Sequence, residues 1–255
     1  MTRPVIVYEN LFLEGDVSSQ FILGDESLML DWLSYDGAQF QTGLGDFSSI
    51  AVQLSADSTA NCLCVAAHDL GSKGATINVR DGINSGSIIA SYSPPDDSPF
   101  ILEFDDYETD TWTAHVEAGA GDDPSVNILV LGKSMHLERS AFLNVQPPGF
   151  NPSDEYNRNR SESGQTRGLT LKRLGIQNEI SFDNVSLEWI KDEWQPFADH
   201  MRKKACFWAW DQDDNPLDVA FVERDGNPQA NPTTIGGPNQ QGYWQVSLPV
   251  KGIAE

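Results

Sequence analysis

Between Ile50 and Leu131, short β-branched and apolar runs recur every 8–15 residues, each closed by glycine, proline or aspartate. The runs are Ile50–Leu54, Cys62–Ala67, Ala75–Arg80, Ile88–Tyr92, Phe100–Phe104, Thr111–Val116 and Val126–Leu131. The stops include Gly71-Ser72-Lys73-Gly74, Asp81-Gly82, Pro94-Pro95-Asp96-Asp97 and Gly119 to Pro124. A chain punctuated this way predicts a jelly-roll β-sandwich, because each run is long enough for a strand and too short for a helix. Cys62–Ala67 is apolar at every position, which predicts a strand covered on both faces.

The second half reads differently. Residues 144–168 hold Pro147-Pro148-Gly149 and a polar run through Ser163, and predict a long loop of the kind that serves function or is ordered by a partner. Strand patterns return at Gly168–Leu174, Glu179–Phe182, Ala205–Trp210, Leu217–Glu223 and Tyr243–Val250, while Pro4–Tyr8 is a short β-branched run that opens the first half. Ile190, Trp194, Phe197, Ala198 and Met201 form one apolar stripe at helical period, predicting a helix over about 186–204. Ser186 is its expected N-cap, Glu188 sits in its first turn, and Arg202-Lys203-Lys204 suits its C-terminal dipole. Pro196 predicts a kink or two segments. The expected division is a sandwich over 1–140 and a second β domain with one flanking helix over 141–255.

Charge supports unequal halves. The chain has 255 residues and a formal net charge of -22, of which residues 1–133 carry -17 and the remainder -5. So acidic a surface excludes general attraction to nucleic-acid phosphates or anionic membranes. There is no apolar run of 18 residues and no signal-like start, so neither membrane insertion nor secretion is expected. Three cysteines, an odd number without framework spacing, suit a reducing compartment.

Motifs for chemistry are sparse. No Gly-x-Ser-x-Gly elbow or phosphate-binding loop occurs. His68-Asp69 are neighbours whose side chains point apart on a strand end. Cys62, Cys64 and Cys206 lack zinc-ligand spacing and read as core residues. Asp211, Asp213 and Asn215 mimic the start of a calcium loop and form a candidate weak ion loop, but Pro216 replaces the glycine and Val222 stands at the twelfth position. Asp105-Asp106, Glu108 and Asp110 read as a solvated acidic loop, as do Asp122-Asp123. Trp208 and Trp210 share a strand face and read as packing residues. No catalytic residue, metal or cofactor is expected.

Val65-Ala66-Ala67-His68-Asp69-Leu70-Gly71, followed by a short glycine turn and Ala75-Thr76-Ile77, resembles a pattern of tail-tip (distal-tail) proteins of tailed bacteriophages. That family usually has Asn where Asp69 stands. Tyr8-x-Asn10-Leu11, the strand into Leu131-Gly132-Lys133, and the Leu169–Leu174 strand before the Trp194/Phe197 helix fit the same arrangement. The resemblance implies an N-terminal galactose-binding-like (discoidin-type) sandwich and a C-terminal ring domain similar to tail-tube proteins. It implies a structural component of the virion tail tip, made in the bacterial host cytoplasm. Its partners would be copies of itself in a ring, commonly hexameric, the tail tube protein, the hub and baseplate, and fibres or host-surface glycan. Carboxylates lining the ring would let DNA pass without specific binding. Arg158, Arg160 and Arg167 in the long loop are the candidate inter-subunit contacts. The rival reading is a carbohydrate-binding or carbohydrate-active protein with glycan at the loop end of the sandwich; an unrelated acidic β enzyme is a further one.

Overall fold

The computed structural model describes residues 4–32, 37–42, 48–83, 86–119, 121–136, 147–150, 152–153, 155–160, 162–163, 165–173, 175–233 and 242–253. The fold is mainly antiparallel β. In chain order the first half contains β1 (Val5–Val7), β2 (Asp16–Gln20), β3 (Ile22–Leu23), α1 (Glu26–Leu30), β4 (Ala38–Phe40), β5 (Ser48–His68), β6 (Thr76–Asp81), β7 (Ile88–Tyr92), β8 (Phe100–Glu117), β9 (Ser125–Gly132) and β10 (Ser134–His136).

β5 and β8 decide the architecture. The sequence predicts two short strands in each, yet each is a single strand, of 21 and 18 residues. No glycine or proline lies between the paired runs to stop them. Their ladder slips between Gln53 and Ser58 and again between Ala60 and Cys62, and bulges of this kind bend a strand. The early part of β5 therefore pairs with β2 and the late part of β8, while its late part pairs with β9 and the early part of β8. With β6 and β7 extending the first layer, and β4 and β3 the second, one curled sheet forms both walls of a jelly roll. Ile50, Val52, Leu63, Val65, Phe100, Trp112, Val116 and Leu129 fill the space between them. Asp105, Asp106, Glu108 and Asp110, expected in a loop, lie inside β8, where Glu108 pairs with Thr59.

The second half adds β11 (Glu155–Arg160), β12 (Thr166–Arg173), β13 (Ile176–Val185), α2 (Leu187–Trp189), a π-helical turn (Ile190–Trp194), α3 (Gln195–His200), β14 (Cys206–Ala209), β15 (Val219–Arg224), β16 (Gln229–Pro232) and β17 (Trp244–Ile253). The main sheet here runs β10-β1-β14-β15-β17-β13, with β16 also on β17. Thus β1 and β10, both from the first half of the sequence, belong to the sheet of the second half. The expected boundary at 140/141 lies outside the described residues.

This sheet is buried on both sides, and period-two alternation shows how. Val5, Val7, Phe207, Ala209, Val219 and Phe221 point toward the sandwich and share a core with Cys62, Cys64, Ala66, Ile101, Ile128 and Val130. Ile6, Cys206, Trp208, Ala220 and Val222 point the other way, onto Trp189, Trp194, Phe197 and Met201 of the helical segment. The molecule is therefore layered sheet, sheet, sheet, helix. The doubly apolar Cys62–Ala67 run faces the sandwich core with one set of side chains and the third layer with the other.

The helix begins as the sequence predicts: Ser186 Oγ accepts from the Trp189 amide at 3.1 Å. Pro196 splits it. Proline has no N–H and its ring presses on the preceding turn, and the chain widens into the π turn just ahead of it. Pro196 then occupies the first turn of α3, where a missing donor is tolerated.

Candidate functional site

The outer face of the first sandwich layer is polar and partly enclosed. Residues paired across an antiparallel sheet share a face. Gln20 lies opposite Ser49, Ser49 opposite His115, and His115 opposite Asn78; one row over, Ser18, Ala51, Thr113 and Arg80 align. Their neighbours Ile50, Val52, Ala114 and Val79 fill the inner core. After β6 the chain folds back over this face: the Gly82 amide donates to Thr111 O at 2.9 Å, and Thr113 Oγ1 donates to Gly82 O at 2.9 Å. That places Ile83 above the sheet. A cavity of about 210 Å³ results, lined by Ser18, Ser19, Gln20, Ser49, Ala51 and Ile83.

A charged network borders it. Glu117 Oε1 accepts from Arg80 Nη2 and Asn78 Nδ2, both at 3.1 Å, and His115 Nδ1 lies 3.1 Å from the same oxygen. His115 is 2% exposed. Beyond it, Asp81 accepts from Tyr107 Oη and Thr109 Oγ1, each at 2.8 Å, which raises the Tyr107 phenol above its ordinary range. The face thus offers hydroxyls, an amide and a compensated carboxylate beside an apolar wall. No aromatic motif marks it in the sequence. Its signal on β6 and β8 is a polar residue at alternate positions, as at Asn78 and Thr113, between apolar ones; β2, with Val17 as its one apolar residue, carries no such signal.

The loop end of the sandwich is built otherwise. His68 Nδ1 accepts from the Leu70 amide at 3.2 Å, and its Nε2 is 2.9 Å from Ser98 O; burial holds its pKa below the usual value. Asp69 Oδ1 accepts from Ser125 N at 2.6 Å, Leu70 is buried, and Gly71 lies so close to Asp96 that a Cβ would meet its carbonyl. The His-Asp-Leu-Gly motif is a knot tying three loops. Asp97 and Asp123 likewise accept backbone amides, from Ser72 and Thr42, each at 2.8 Å. All seven tryptophans are buried or half-buried, so none is presented as an exposed stacking platform for sugar there.

The remaining sequence candidates fall as follows. Of the expected loop 144–168, Pro148–Phe150 form a 3-10 turn and residues from 155 onward belong to the β11–β12 hairpin, where Arg158 pairs with Leu169 and Asn157 with Thr170; residues 144–146 lie outside the described ones. Arg158 and Arg160 lie on β11 and Arg167 on β12, so all three share one ribbon; Arg158 and Arg167 are exposed. Asp211 is 2% exposed and accepts from Asn215 Nδ2 at 3.1 Å, while Asp213 is exposed. Among the described residues no group of three or more His, Cys, Asp or Glu side chains is placed to hold a metal ion. The three cysteines are free and buried, as core residues should be; burial pushes the Cys64 and Cys206 thiols well above their ordinary pKa, which suppresses thiolate chemistry.

No protein-family model matches this chain, and no curated protein matches it. Similar solved structures exist. Chitosan-binding module 1 of a chitosanase/glucanase from Paenibacillus sp. IK-5 is 18% identical, with 48% of this chain and 98% of that one covered and a TM-score of 0.39. The CBM32 of AlyQ in complex with 4,5-unsaturated mannuronic acid is 12% identical, with 49% and 96% covered and a TM-score of 0.38. A CBM32 from Clostridium perfringens in complex with GalNAc-β-1,3-galactose is 13% identical, with 46% and 94% covered and a TM-score of 0.37.

Proposed function

We propose that this chain is a non-catalytic carbohydrate-binding protein whose sandwich takes a neutral sugar on its polar sheet face. The observation that carries the reading is the cavity of Ser18, Ser19, Gln20, Ser49, Ala51 and Ile83. Sugar hydroxyls donate and accept at once, as do the serine hydroxyls and the glutamine amide. The C–H face of a pyranose needs a small apolar wall, which Ile83 and Ala51 provide. The volume is below the roughly 300–1,000 Å³ of drug-sized sites, which suits a single ring. The neighbouring carboxylate is already paired with Arg80, so no net charge is left to demand a charged ligand. Screening on a glycan array followed by titration calorimetry tests this. Ser49→Leu fills the cavity and Gln20→Ala removes an exposed donor; each should weaken binding at least about tenfold, the worth of one to two good hydrogen bonds. An array with no neutral glycan retained, or binding indifferent to both substitutions, refutes the reading.

A second reading is the tail-tip ring protein, with tube, hub and baseplate partners and a place in the virion. The feature favouring it is the basic β11–β12 ribbon in a strongly acidic chain. Electron microscopy of the native particle tests it; absence of a ring around a central channel sinks it.

A further inference from the structure

We propose that the β11–β12 hairpin docks on the acidic β5–β8 ridge of a second copy of this chain. The inference stands apart from the glycan reading; it deepens the ring reading without requiring its virion setting. Among the described residues, β11 and β12 form a two-stranded sheet of their own. A lone two-stranded ribbon is marginal in water and gains from a surface to lie on. This one exposes Arg158 and Arg167, and across the ribbon from Arg158 stands Leu169, 57% exposed. Neither arginine has an ion-pair partner among the described residues.

Charge names the partner. Segment 155–173 holds five basic and two acidic residues, in a chain of net charge -22. The ribbon therefore reverses the sign of the molecule that carries it. Its complement is a dense, exposed, acidic surface, and the chain supplies one: Asp105, Asp106, Glu108 and Asp110 on β8, with Asp57 on the facing stretch of β5. Of these five, Asp106 has a described cationic partner, Lys133 at 3.5 Å. Arginine forks match carboxylates in pairs, and Leu169 adds an apolar contact beside them. The ribbon of one copy meeting the ridge of the next is a head-to-tail contact, which closes into a ring or extends as a filament. A contact carried by exposed charges and one leucine is screened by salt and gains from closure.

Light scattering and sedimentation of the full chain test this at about 50 mM and 500 mM NaCl, on either side of the screening threshold. Wild type should associate at low salt and dissociate at high salt. R158E/R167E should raise the dissociation constant at least about tenfold, as should D105K/E108K on the opposite surface. Mixing the two reversed variants should restore association, since each then carries a complement for the other. A wild-type chain that stays monomeric at low salt overturns the proposal. So does an assembly indifferent to both variants, or a mixture that fails to reassociate. If one variant loses its fold by circular dichroism, the other tests the contact from its own side.

Discussion

Phe207→Ala probes the core that the sandwich shares with the second sheet. Phe207 is fully buried, lies on the sandwich-facing side of β14, and meets Phe221 with ring centroids 5.1 Å apart. Truncating a fully buried phenylalanine costs about 3–5 kcal/mol, from lost transfer energy and the cavity left behind. In a chain of this size each kcal/mol moves the melting midpoint by about 2–4 °C, so the midpoint should fall by about 6–20 °C. The architecture adds a sharper expectation. Cys62, Cys64, Ala66, Ile128 and Val130 line the other side of that core, so the sandwich strands should lose stability with β14. Scanning calorimetry should show one transition that moves as a whole. Hydrogen exchange should show segments 60–68 and 206–209 opening together. Two separate transitions, the higher one unmoved by the substitution, would refute the shared-core argument.

Two further outcomes follow from the same reasoning. Asn10 is 5% exposed; its Nδ2 donates to Leu129 O at 3.1 Å and its Oδ1 accepts from the Phe12 and Leu131 amides, each at 3.2 Å. Asn10→Ala strands those buried groups, and denaturant unfolding should show a loss of about 2–4 kcal/mol. Burial lowers the pKa of His68 and of His200, so the folded state resists their protonation. The unfolded chain then binds more protons below its ordinary histidine pKa of about 6.5. Stability is fully present above that pH and declines as pH falls toward the folded-state values. Melting midpoints measured from pH 7.5 to 5 should fall, and less steeply in a His68→Gln, His200→Gln variant.

Most of the strands were legible because their apolar residues alternate or cluster and their ends carry glycine, proline or aspartate. β2 was not, since Asp16-Val17-Ser18-Ser19-Gln20 offers one apolar residue and is held in place by its register on β5. Fusion of two expected strands into β5 was hidden for a related reason: Ser55 to Ala60 has no apolar pattern, and Asp57, with no glycine or proline beside it, does not end the strand. The apolar Cys62–Ala67 run announced burial on two faces, but no local pattern identifies a third layer as what covers the second face. The polar sheet face was the least legible part. Its residues are common surface types from four strands, and register alone brings Gln20, Ser49, His115 and Asn78 into a row. The basic segment, by contrast, is legible by charge alone, with Arg158, Arg160 and Arg167 in an otherwise acidic chain.

The placement of β1 has a consequence for synthesis. Val5 pairs with Ala209, about 200 residues later in the chain, so the first strand made waits for one of the last elements before it acquires its inner neighbour. Translation at roughly 5–20 residues per second makes that wait tens of seconds at the slower end. The sandwich can close in the meantime, but the small side chains on its back, Cys62, Cys64 and Ala66, have nothing to cover them until β14 and β15 emerge. The nascent protein thus carries its greasiest exterior when it is half made. Truncated products ending before Cys206 should be the sticky ones, retained by chaperones, while the full-length chain is released.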